Sequence, residues 1–210
     1  MKPSFTPTLL RPYTLNPVDR SYNMIGTVEP AYGQRIDRAA PVSLPVPPPH
    51  RNGITYQYKL GDDVSQMLAL LRQLAANFGL QPAVRNAAIS IISSSGDEPV
   101  AMVNSIIGFV RSHVRYAKDP KMAEYVISPL LALQTINVKG YVYGDCDDHV
   151  LLLASLLTAI GFDNQIIGVK LNGSPYYNHV INQVRVGGQW HDVDTCFKSG
   201  DAPNYQDRLI

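Results

Sequence analysis

Hydrophobic and polar positions divide this chain into a helical half followed by a strand half. From residue 64, apolar residues recur at helical spacing. Val64, Met67, Leu68, Leu71 and Leu74 form one stripe, predicting a helix through about Phe78 that Asp62-Asp63 caps and Gly79 stops. A second helix is expected over Pro82–Ser93, with proline in its first turn. A third is expected from about Glu98 to His113, turning Val103, Ile106, Ile107, Phe109 and Val110 inward. Ser128-Pro129 opens a short helix from Leu130 to about Ile136. The run Val150–Ile160 is apolar nearly all round, which means burial on several sides, and Gly161 ends it. The period then changes to two: Gln165–Leu171, Tyr177–Val186 and Gln189–Asp194 read as strands. Asn172-Gly173-Ser174 and Gly187-Gly188 supply the turns, the second with two-residue hairpin chemistry. Helices followed by an antiparallel sheet packed on one central helix make an α+β domain.

The first 60 residues obey neither period. Ten of the 16 prolines fall before residue 51, removing amide donors and disfavouring helix. Apolar residues (Leu9, Leu10, Tyr13, Met24, Ile25, Tyr32) nevertheless recur, unlike the composition of a solvating linker. The expected organisation is an extended, proline-rich arm for partner contact over residues 1–60 and a folded α+β domain over residues 61–210. Residues 1–60 carry seven Lys/Arg against three Asp/Glu, and the remainder eleven against fourteen. Net charge is only +1, so no global field argues for nucleic acid or a membrane surface. No phosphate-cradling glycine loop or dense basic patch appears, and no apolar run approaches the roughly 18 residues of a membrane span. Nucleic acid and membrane are therefore excluded as expected partners.

Candidate chemistry lies in Gly144-Asp145-Cys146-Asp147-Asp148-His149, which places a cysteine at the first turn of the apolar helix. A thiol attacks as its thiolate, and free amides at a helix start stabilise that anion. The flanking Asp145, Asp147 and Asp148 oppose ionisation, so the thiol needs an imidazolium partner. The acidic pair Asp147-Asp148 equally suits the helix dipole as first-turn carboxylates. Of the histidines, His149 shares the cysteine's helix, and His50 and His113 belong to the arm and to a helix end. His179 opens a strand of the following sheet, where a separate base can meet the thiol, and ranks first. Asp192 and Asp194 share a strand face with Trp190, and either could hold a neighbouring imidazole. Two cysteines, Cys146 and Cys196, are too few for a disulfide framework, and Cys-x-x-His occurs once without a second ligand pair. Neither a metal nor a cofactor is expected.

Gly-Asp-Cys-Asp-Asp with its leucine-rich helix, then Ile166-Ile167-Gly168-Val169, Asn178-His179-Val180 and Trp190-His191-Asp192-Val193-Asp194-Thr195, resembles the transglutaminase-like superfamily of papain-fold cysteine enzymes. The resemblance covers roughly residues 98–195 and is strongest from residue 144. It implies a papain-like core with Cys146 as nucleophile, His179 as base and Asp194, not Asp192, as orienter. Two features depart from the pattern: Thr195 follows Asp194 directly where relatives often carry proline, and His179-Val180-Ile181 replaces the usual His-x-Trp. The segment Val114-Arg115-Tyr116, Asp119-Pro120 and Ser128-Pro129-Leu130 is similar to versions encoded by tailed bacteriophages. Two functions follow as expectations. One is a cysteine peptidase or acyl-transfer enzyme acting on an amide bond of a protein or peptide. The other is a virion structural or assembly protein that keeps the fold and clasps other subunits through residues 1–60. Met1-Lys2-Pro3-Ser4-Phe5 lacks the apolar core of a secretory signal, so the bacterial cytoplasm, and for a phage protein the virion, is the expected location.

Overall fold

A computed structural model describes residues 55–58, 64–119, 124–197 and 203–210. Most of the expected arm, and the expected cap Asp62-Asp63, lie outside the described residues. The chain runs β1 (Thr55–Tyr58), α1 (Val64–Gly79), α2 (Pro82–Ile92), α3 (Pro99–His113), β2 (Val114–Tyr116), β3 (Glu124–Ile127), α4 (Pro129–Lys139) and β4 (Val142–Gly144). It continues through α5 (Cys146–Ala159), β5 (Asn164–Leu171), β6 (His179–Val186), β7 (Gln189–Val193) and β8 (Tyr205–Leu209). The α+β architecture matches the expectation. No helix among the described residues is long and apolar enough to cross a membrane.

Helix α5 is the hub. It packs against α1, α2, α3 and α4, and against β5 and β6 of the sheet. That surrounding explains its composition, because a helix covered on every side has no face on which a charge is stable. Leu151, Leu153, Leu156 and Leu157 have no exposed surface, and each such side chain contributes about 1.5–3 kcal/mol by leaving water. The helix begins four residues before the apolar run, at Cys146. Those four residues are polar, so only the cap marks the true start. Helix α4 likewise outruns its expected end by a turn, stopping where Gly140 takes a φ of 82°. Its start is fixed by Ser128, whose Oγ accepts a hydrogen bond from the Leu131 amide at 3.2 Å.

The main sheet has the order β7-β6-β5-β8, with every pair antiparallel. Strand β8 was not expected, since Gln206, Asp207 and Arg208 leave only its two ends apolar. The short β2 pairs in parallel with β4, and β1 in antiparallel with β3. Three- and four-residue strands offer too little chain for a period of two to show.

The hairpin between β6 and β7 sets the register on which the site depends. Gly187 and Gly188 both take positive φ, 59° and 82°, as a two-residue hairpin turn of this twist requires. Val186 then faces Gln189 and Asn182 faces Val193. One residue further, Asp194 comes level with Ile181, on the same sheet face as His179 two positions along. Adjacent strands bring such diagonal neighbours within side-chain reach.

Candidate active site

Cys146 is the first residue of α5. Asp145 is its N-cap: Asp145 Oδ1 accepts from the Asp147 amide at 3.1 Å, and Asp148 Oδ2 reaches back to accept from the Asp145 amide at 3.1 Å. This reciprocal box satisfies two helix-start amides and locks the turn that carries the thiol. The other oxygen of Asp148 accepts from the Ile127 amide at 2.6 Å, tying β3 to the same turn. Gly144 leaves room for that carboxyl, since a Cβ there would lie 2.6 Å from the Cβ and Oδ2 of Asp148. Asp148 sits in the first turn as the dipole favours, and there it also caps the helix and crosslinks β3.

Burial pushes the Asp148 carboxyl up to about 8, against the two amides that draw it down. Its folded pKa thus lies above its unfolded value, so the folded state binds the proton more tightly. The associated stability is fully present below about pH 4 and is lost as the pH rises towards 8, the reverse of a salt-bridged aspartate. Between pH 5 and 8, thermal unfolding of the native protein should therefore lose about 2–4 kcal/mol relative to an Asp148→Asn variant, whose side chain does not titrate. Parallel pH slopes for the two proteins would contradict this assignment.

The Cys146 sulfur lies 3.7 Å from Asp147 Oδ1, to which the thiol donates. Burial, then the charges of Asp147 and Asp145, push the thiol well above its ordinary value, and a hydrogen bond from the Val180 amide draws it back. That amide belongs to the residue after His179, so the thiol is held against the start of β6. Among the described residues no hydrogen bond joins the sulfur to His179 itself.

His179 and Asp194 do meet. His179 Nε2 donates to Asp194 Oδ2 at 2.6 Å, and both residues are largely buried. The ring lies edge-on to Phe197 at 5.5 Å between centroids and parallel to Tyr205 at 6.4 Å. Asp194 collects two further donors: Tyr205 Oη on Oδ2 at 2.6 Å and the Cys196 amide on Oδ1 at 2.8 Å. Burial alone would raise this carboxyl; the hydrogen bonds from His179, Tyr205 and Cys196 outweigh it and hold Asp194 below the usual carboxylate range. Asp192, the alternative orienter, is exposed and accepts from Arg208 and Gln183, each at 2.7 Å.

Tyr116 lies near the thiol. It pairs in register with Gly144 and is half-exposed. Burial, followed by the proximity of Cys146, Cys196, Asp145 and Asp147, pushes its hydroxyl up to about 12. His149, one helical turn beyond Cys146, is not presented to a substrate. It is 1% exposed, and its Nδ1 lies 2.9 Å from Thr195 Oγ1. Burial lowers its pKa to about 4, which keeps the ring neutral.

The sequence profile described as the Transglutaminase-like superfamily matches residues 86–195, just over half of the chain. The chain belongs to the transglutaminase-like superfamily. No curated protein sequence gives a significant match. Among solved structures, a candidate cysteine protease from Cytophaga hutchinsonii aligns at 15% identity and a TM-score of 0.43, covering 64% of this chain and 44% of that one. A candidate protease from Parabacteroides distasonis aligns at 16% identity and a TM-score of 0.43, covering 60% and 26%. This chain thus spans less than half the length of either.

Within this transglutaminase-like domain the site also takes in Tyr205, Phe197 and Arg111, which the sequence did not mark. Arg111 reaches from α3 to donate to the Asp194 carbonyl at 2.7 Å, so the aspartate is fixed through both backbone and side chain. With His149 on Thr195, these contacts fasten the segment after β7 to α3 and α5. Neither the Arg111 nor the His149 contact has a local signal, because each joins residues more than 40 positions apart.

Proposed function

We propose that this transglutaminase-like domain is a cysteine-nucleophile enzyme that cleaves or transfers an acyl group at an amide bond of a protein or peptide. In this reading Cys146 attacks the carbonyl, His179 takes and returns the proton, and Asp194 fixes the imidazole. The observation that carries it is the 2.6 Å bond from His179 Nε2 to Asp194 Oδ2. A carboxylate can only accept, so the proton sits on Nε2 and Nδ1 is the basic nitrogen left to serve a thiol. The Val180 amide, hydrogen-bonded to the Cys146 sulfur, keeps that thiol beside the residue carrying the ring.

The Cys146 amide and the helix dipole at the head of α5 favour the negative charge that develops on a tetrahedral intermediate. Tyr116, half-exposed and near the thiol, is placed to meet the substrate. Water as acceptor gives hydrolysis, and a primary amine gives transfer. Incubation with an activated peptide ester should yield a mass adduct on Cys146, released as free acid or, with added amine, as amide. An undiminished adduct or turnover in Cys146→Ala would sink the proposal.

A further inference from the structure

Cys196 is a thiol the proposed chemistry does not use, yet it lies inside the site. One ligand-type atom from each of His179, Asp194 and Cys196 falls within 4.8 Å of the other two. His179 is buried and the other two are half-buried. We propose that these three side chains form a binding site for a thiophilic divalent transition metal of the zinc class. An imidazole, a carboxylate and a thiolate are the donor types such an ion selects, and three protein ligands with one open position form a familiar tetrahedral set.

The distances suit it. A zinc-class ion takes its nitrogen and oxygen ligands at about 2.0–2.2 Å and its sulfur at about 2.3 Å, so the donors of one tetrahedron stand about 3.3–3.7 Å apart. The His179–Asp194 pair must open from 2.6 Å, and the sulfur must close from no more than 4.8 Å. Charge also balances, because a 2+ ion, the Asp194 carboxylate and a Cys196 thiolate sum to zero in a largely buried place. On binding, Cys196 releases its thiol proton to solvent, and the proton on His179 Nε2 gives way to the metal and is regained at Nδ1. Tyr205 and the Cys196 amide remain on Asp194 as outer partners that orient the carboxylate. The second acidic group around the thiol, Asp145 with Cys146 and Asp147, offers no imidazole, and Asp145 is committed to the helix cap.

Binding itself does not depend on the proposed function; its consequence does. An occupied site leaves His179 Nδ1 protonated and unable to accept the Cys146 proton, so the metal would reversibly silence the enzyme.

Anaerobic titration of the full-length chain with Co2+ tests the site. One ion per chain should bind, with tetrahedral ligand-field absorption and a thiolate-to-cobalt charge-transfer band. Cys196→Ser should remove that band and weaken binding by at least about tenfold, while Cys146→Ser keeps both. Absence of binding, a band that survives Cys196→Ser, or a band lost in Cys146→Ser would each overturn the proposal. Alkylation of Cys146 in the metal-free protein is read separately. An unactivated Cys146 alongside a Cys196-dependent band would defeat the proposed function and leave the metal site standing.

Discussion

Replacing His179 with alanine should slow alkylation of Cys146 by iodoacetamide at pH 7 by about 100-fold or more. The expectation follows from the thiol's surroundings. Burial and the carboxylates of Asp147 and Asp145 hold its pKa well above that of a free cysteine. Each pH unit below a thiol's pKa cuts its reactive fraction about tenfold, so an unaided Cys146 would be ionised to less than about one per cent at neutral pH. The Val180 hydrogen bond acts in the right direction without overcoming burial and those charges. Only a nearby positive charge can, and His179 is the ring presented beside Val180. Mass-resolved labelling checks this, with Cys196 as the internal reference. Burial, then the Asp194 charge, push the Cys196 thiol up, so it should remain slow in both proteins. Equal Cys146 rates in the native and His179→Ala proteins would mean that the imidazole does not activate the thiol.

Much of this arrangement was legible because the decisive residues lie on strongly patterned elements. Val150 to Ile160 could only be a buried helix, and the polar residues ahead of it had to be its start. Gly187-Gly188 declared a two-residue hairpin, and that turn fixes which residue of β7 comes level with which residue of β6. The nearness of His179 to Asp194 follows from that register. The resemblance singled out Asp194; Asp192, two residues earlier, accepts instead from Arg208 and Gln183.

What stayed hidden is long-range and aperiodic. Tyr205 belongs to a strand whose middle is polar, so nothing marked it as a partner of Asp194. Arg111 looked like an ordinary basic residue at a helix end. Cys196 looked like a stray thiol, because His179 lies on a different strand and only the folded sheet brings the two within reach. Asp148 misled for a different reason. An acid in a helix's first turn suits the dipole in any case, which conceals a capping box that also grips β3. Such features depend on how elements dock, which composition and period do not encode.

Asp194→Asn should lower kcat/KM on an activated peptide ester by about 10³–10⁴-fold while leaving the protein folded. The aspartate accepts three hydrogen bonds, from His179 Nε2 and Tyr205 Oη on one oxygen and from the Cys196 amide on the other. Asparagine has a single acceptor oxygen, so its amide group must face one side with a donor. If the oxygen keeps the Cys196 amide, the NH2 faces His179, and the ring turns Nε2 into an acceptor with its proton moved to Nδ1. That tautomer cannot take a proton from Cys146. If the oxygen keeps His179, the NH2 opposes the Cys196 amide, leaving a partly buried donor unpaired at a cost of about 1–3 kcal/mol. In either case the negative charge that stabilises an imidazolium is gone. Tyr205→Phe is the graded control. It removes one of the two donors on Oδ2 but keeps the charge and the tautomer, so its loss should be about tenfold. Unfolding measured alongside separates a chemical loss from a structural one. Less than a tenfold loss in a folded Asp194→Asn protein would show that the aspartate packs His179 without directing its proton.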